Sequence, residues 1–70
     1  MKCQQIKRSG VGGIAVDTSL ITLSDGTAYY ETATATVPNG SWNIVQRTDS
    51  EERAREAHDQ LVDDLRAGTR

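Results

Sequence analysis

The stretch TSLITLSDGTAYYETATATVPNGSWNIVQR, residues 18–47, decides the fold. Residues 18–23 are rich in branched side chains that suit a strand. Asp25-Gly26 follows, a dipeptide that tolerates the positive φ of a tight hairpin. Residues 28–37 alternate threonine and alanine with the period of a strand. Pro38-Asn39-Gly40 then marks a second turn, and residues 41–47 read as the return strand. The three runs predict an antiparallel β-meander.

If both turns hold two residues, pairing parity follows. Asp25-Gly26 places Leu20 opposite Glu31 and Thr22 opposite Tyr29. Asn39-Gly40 places Ala35 opposite Ile44 and Val37 opposite Trp42. Opposed residues share a face. One face then carries Leu20, Tyr29, Ala33, Ala35, Val37, Trp42 and Ile44. The other carries Ile21, Leu23, Tyr30, Thr32, Thr34, Thr36 and Val45. A one-residue slip at either turn exchanges these sets.

Downstream of the meander the period changes to that of a helix, predicted over residues 49–66. Thr48 and Asp49 are N-cap candidates, each with a glutamate three residues on, Glu51 and Glu52. Ala54, Ala57, His58, Leu61, Val62 and Leu65 fall in one stripe, and Gly68 is a natural terminator. The small side chains Ala33 and Ala35 are expected to meet Ala54 and Ala57. Upstream, residues 1–17 read as a further hairpin around Ser9–Gly13 or as an arm. The fold class is therefore α+β: one domain, residues 1–70, with an antiparallel meander of three to five strands and a single C-terminal helix on one face.

Seventy residues bury only about 60% of the unfolded chain's surface, and a core of this size supplies roughly 3–5 kcal/mol. The single cysteine, Cys3, precludes an intrachain disulfide, and Cys3 with His58 is too small a set for structural zinc. Homo-oligomerisation is the expected support. One helix covers one face of a sheet, so Ile21, Leu23, Tyr30 and Val45 are assigned to an oligomer interface.

Residues 1–48 carry Lys2, Lys7, Arg8 and Arg47 against Asp17, Asp25 and Glu31. The remainder carries four arginines against seven carboxylates. Neither part has the basic surface of a nucleic-acid binder, and no apolar run reaches transmembrane length. A membrane or nucleic-acid partner is not expected, and the bacterial cytosol is the expected compartment. Glu56, Asp59 and Asp63 on the acidic helix are the expected partner-binding residues.

Lys7, Arg8, Ser9, Gly10, Gly12 and Gly13 form the one candidate ligand loop, where glycine amides and two cations could hold a phosphorylated small molecule or nucleotide. The loop lacks the Gly-Lys-Ser/Thr of a Walker motif and opens no helix. His58 could act as a base or pair with Glu31, but a half-buried histidine bonded to a strand carbonyl is the favoured reading. Cys3 has no CxxC partner, and Asp59 with Asp63 reads as a solvated acidic face rather than a metal site. No catalytic set converges, so neither an enzyme nor a cofactor is expected.

Tyr30-Glu31-Thr32, a turn, Arg47-Thr48 and then Glu51 to His58 together resemble a recurrent small protein of bacteriophages and prophages. Those proteins read Tyr-Glu-Thr, a short hairpin, Arg-Tyr-x-Thr, Glu-Ala and a Gly-His within the helix. The resemblance covers about residues 28–65. Ala57 stands where the pattern has glycine, and the intervening segment is shorter. The resemblance implies a viral or mobile-element origin and transfers no catalytic residue. The expected function is a non-enzymatic binding protein that engages a bacterial host or virion protein as a homo-oligomer. The alternative is a sponge that sequesters a phosphorylated ligand through Lys7–Gly13.

Overall fold

A computed structural model describes residues 1–68 of the chain. Four antiparallel strands, β1 (Lys2–Val11), β2 (Ile14–Thr22), β3 (Ala28–Thr36) and β4 (Asn43–Thr48), form one sheet in the order β1-β2-β3-β4. A single helix, α1 (Glu51–Gly68), crosses one face of it. The expected α+β architecture is thus present, with the N-terminal segment as a full hairpin.

That hairpin closes through Gly12-Gly13, with φ of 53° and 47°. Two successive positive φ values make the two-residue turn whose twist suits a hairpin. Pairing therefore runs to Val11 opposite Ile14. Residues 7–10, expected in a loop, are strand residues.

The other two turns depart from two-residue geometry. Thr22 pairs with Ala28, so the second hairpin is offset by one residue from the expected register. The Leu23 amide donates to the Thr27 carbonyl at 2.8 Å, and the Gly26 amide to the Leu23 carbonyl at 3.0 Å. Asp25 Oδ1 accepts from both the amide and the hydroxyl of Thr27, and Gly26 has φ 91°. The aspartate side chain thus stabilises a longer turn, with glycine at its left-handed position. The third turn moves the register by two residues, so that Ala33 faces Ile44, and a bulge near Val45 follows. A shift of two preserves parity; a shift of one reverses it.

These shifts correct the predicted faces. Tyr29, Ala33, Ala35 and Ile44 stay together, but they are joined by Ile21 rather than Leu20. The helix lies on the other face, where Val16, Thr18 and Leu20 on β2 are paired with Thr34, Thr32 and Tyr30 on β3. Val11, Val16 and Val62 form the core there, with Leu61 and Leu65 packed against it. The N-terminal hairpin supplies the branched side chains that make this threonine-lined face the apolar one. Ala33 and Ala35 accordingly do not meet Ala54 and Ala57. The proposed interface set also divides: Ile21 lies on the open face, whereas Tyr30 is on the helix side and Val45 lines a groove beside Leu61.

Ser50, rather than Thr48 or Asp49, caps the helix. Its hydroxyl accepts from the Arg53 amide at 3.1 Å and its carbonyl from the Ala54 amide at 3.0 Å. Glu51 and Glu52 in the first turn and Arg66 in the last complement the dipole, and Gly68 belongs to the helix. Ala54, His58 and Val62 are its buried residues. Among the described residues no helix is long and apolar enough to cross a membrane.

Candidate functional site

Two features of the fold carry most of its unusual chemistry: a polar chain within the helix–sheet layer, and the face that the helix leaves open. The polar chain centres on His58, which is fully buried. Its Nε2 lies 2.8 Å from Ser9 Oγ and its Nδ1 lies 2.9 Å from Thr18 Oγ1, which is 2.7 Å from Thr32 Oγ1. A neutral imidazole satisfies this chain in either direction. If Ser9 donates to Nε2, then Nδ1–H donates to Thr18 and Thr18 to Thr32; the other tautomer reverses every donor. His58 is therefore not half-buried against a strand carbonyl, and its partners are hydroxyls rather than Glu31. Glu31 instead accepts from Arg47 at 3.3 Å.

A bulge brings Ser9 to the histidine. Gln5 pairs with Ser19, but Lys7 pairs with Thr18. The extra residue, Ile6, moves odd-numbered side chains from the open face to the helix side. Lys7 then reaches Asp59 at 2.5 Å, and Ser9 reaches His58.

Burial lowers the His58 pKa, and the Lys7 cation lowers it further; Asp59 and Asp17 oppose this more weakly. Lys7 also holds the Asp59 carboxyl below its ordinary value, chiefly through their hydrogen bond. A depressed histidine pKa means that the unfolded chain binds the proton more tightly. Stability is then complete above the unfolded value near 6.5 and declines as pH falls toward the lower folded value. The urea midpoint should drop between pH 7 and pH 5, and His58→Gln should flatten that part of the profile. An identical profile in the variant would count against His58 as its source.

A serine beside a histidine has the outline of a nucleophile and its base. Here the third group is Thr18, a neutral hydroxyl in place of the carboxylate that would stabilise an imidazolium, while burial and Lys7 both oppose that cation. The arrangement suits a neutral cross-link between β1, β2, β3 and α1. Among the described residues no buried side-chain nitrogen or oxygen lacks a partner, and no group of three or more potential metal ligands forms.

Arg8, Ser9, Gly10, Gly12 and Gly13 of the candidate ligand set border one shallow pocket with Ala15 and Val37, while Lys7 is drawn to Asp59. Lys7 and Ser9 point to the helix side, Arg8 lies on the opposite face with its guanidinium 5.4 Å from the Trp42 ring, and Gly12-Gly13 form the turn. The acidic set also diverges. Glu56, Asp59 and Asp63 are all exposed, but Asp59 is held by Lys7 toward β1, and Glu56 borders a groove on the β4 side.

The open face is the larger feature. Ala15, Ile21 and Ala35 are buried within it, each 7% exposed or less, while Trp42 and Ile44 are 47% and 50% exposed. Cys3, Asp17, Ile21, Glu31, Trp42 and Ile44 border a shallow concavity there. Arg8 on Trp42 and Arg47 on Tyr29, 5.5 Å from its centroid, cover part of the aromatic surface. The sequence signal for this face is the alternation Tyr29, Glu31, Ala33, Ala35, whose partner on β2 is Ile21 in place of the expected Leu20.

No family model matches the chain, and no curated protein and no solved structure matches it.

Proposed function

We propose that the protein is a non-enzymatic binding module that self-associates through its open sheet face. The observation that carries this reading is the half-exposed Trp42 and Ile44 on the face opposite the helix. At ~3.3 Å per residue and ~4.8 Å between strands, nine-residue strands give a footprint of roughly 500–600 Å². Two such faces approach the ~1,200 Å² at which specific interfaces begin. The charges also favour a second copy. Arg8 and Arg47 balance Asp17 and Glu31, so a two-fold axis can set the cations of one copy against the carboxylates of the other. The resemblance of residues 28–65 to phage proteins supports a host or virion protein as the target of the assembled module.

Sedimentation equilibrium tests the assembly. The expected mass is twice the 7.6 kDa of the chain. Trp42→Ser combined with Ile44→Lys should give a folded monomer, checked by its amide spectrum. A monomeric parent protein at micromolar concentration, or a variant that remains dimeric, would overturn the reading.

A further inference from the structure

The two edges of the sheet are unlike. Both edge strands are bulged, at Ile6 and near Val45, but the β1 edge also carries Lys2, Lys7 and Arg8, and such charges discourage strand pairing. The β4 edge has one charge, Arg47, already engaged by Glu31, and leaves Ile44 and Val45 about half exposed. Beside it, between β4 and α1, runs a groove of about 1090 Å³. Val45, Ala57 and Leu61 provide its apolar surface. Its borders carry Asp49, Glu56 and Asp64 against Arg53, an acidic excess once Arg47 is discounted.

We propose that this edge and groove form a binding site for an extended segment of a partner protein in which apolar and basic residues take turns at every second position. The segment would add as a fifth strand on β4. Main-chain hydrogen bonds to the unpaired edge supply affinity, and every second side chain turns toward the helix. Along that side apolar residues meet Val45, Ala57 and Leu61, and the lysine or arginine two positions on meets Glu56 and Asp64. An acidic segment is repelled by the same carboxylates. The site deepens the reading of the chain as a binding module and does not depend on self-association.

The test uses a synthetic nonapeptide with valine and lysine taking turns at its odd positions and threonine at its even ones, its valine–glutamate counterpart, and the valine–lysine peptide N-methylated along one edge. Each is titrated into the isotope-labelled full chain. The valine–lysine peptide should shift the amides of residues 43–48 and 57–64. The glutamate and N-methylated peptides should bind at least tenfold more weakly. Glu56→Lys with Asp64→Lys should reverse the charge preference, and the exposed positions of both residues keep that variant folded. Equal binding of the two charge patterns, undiminished binding of the N-methylated peptide, shifts confined to other surfaces, or no binding by any peptide would each overturn the proposal. The two readings fail separately: a monomeric parent protein that binds the valine–lysine peptide supports the groove alone, and a dimeric parent that binds no peptide supports the open face alone.

Discussion

Replacing His58 with alanine is expected to unfold much of the protein at room temperature. The imidazole is fully buried and bridges two hydroxyls, of which Thr18 is itself fully buried. Its removal leaves a cavity, for which large-to-small core changes cost about 2–5 kcal/mol. It also leaves Thr18 with one partner fewer at a site that water reaches poorly. A loss of about 3 kcal/mol or more is comparable to the ~3–5 kcal/mol a core of this size supplies. Urea denaturation followed by circular dichroism measures it. His58→Leu should also destabilise, and adding Thr18→Val together with Thr32→Val should recover about 1 kcal/mol, because the buried hydroxyls that lose their partners are then removed as well. A cooperative transition in His58→Ala at the parent midpoint would show that the polar chain contributes nothing.

Gly40→Ala is the second large effect. The Gly40 amide donates to the Thr36 carbonyl at 2.5 Å. A Cβ at Gly40 would collide with the backbone oxygen and nitrogen of Thr36. Backbone atoms at the end of β3 have little room to yield, so the change should cost on the order of 1–3 kcal/mol. Gly10→Ala is the matched control, since a Cβ there meets nothing within 4 Å and should alter stability by no more than about 0.5 kcal/mol. Comparable midpoints for the two variants would show that the turn adjusts freely around Gly40.

The Asn39-Gly40 dipeptide therefore marks the turn without describing it. Glycine is needed there for close approach to Thr36, while the register beyond it comes from a longer connection and the bulge near Val45. Asp25-Gly26 behaves similarly. Its position was readable, but the Asp25 carboxylate bonds Thr27 and lengthens the loop, and that one residue reverses the face on which Ile21 lies. Side-chain bonds across a turn depend on the turn already made, so dipeptide identity alone does not reveal them.

The candidate ligand segment is the end of a strand and a tight turn rather than a loop, for a related reason. Glycine abundance in residues 10–13 suggested an open cradle, whereas Gly12-Gly13 alone suffice for the turn and leave Lys7 to Gly10 to the sheet. The bulge at Ile6 carries no glycine or other local mark in the sequence. It is nevertheless what places Ser9 against His58 and Lys7 against Asp59.

By itself the sequence determined the elements: strands from branched and alternating residues, turns at the Gly-containing dipeptides, and one amphipathic helix buried along Ala54, His58 and Val62. These are local properties, set by backbone preference and by period. Which sheet face the helix covers was decided only in the tertiary structure. The choice rests on offsets of one or two residues at two turns and one bulge, and on where large apolar side chains gather once four strands are aligned. Val11 and Val16 in the N-terminal hairpin draw α1 onto the threonine face, where His58 satisfies the buried hydroxyl of Thr18 and the half-buried one of Ser9. The face bearing Trp42 and Ile44 is left open as a consequence.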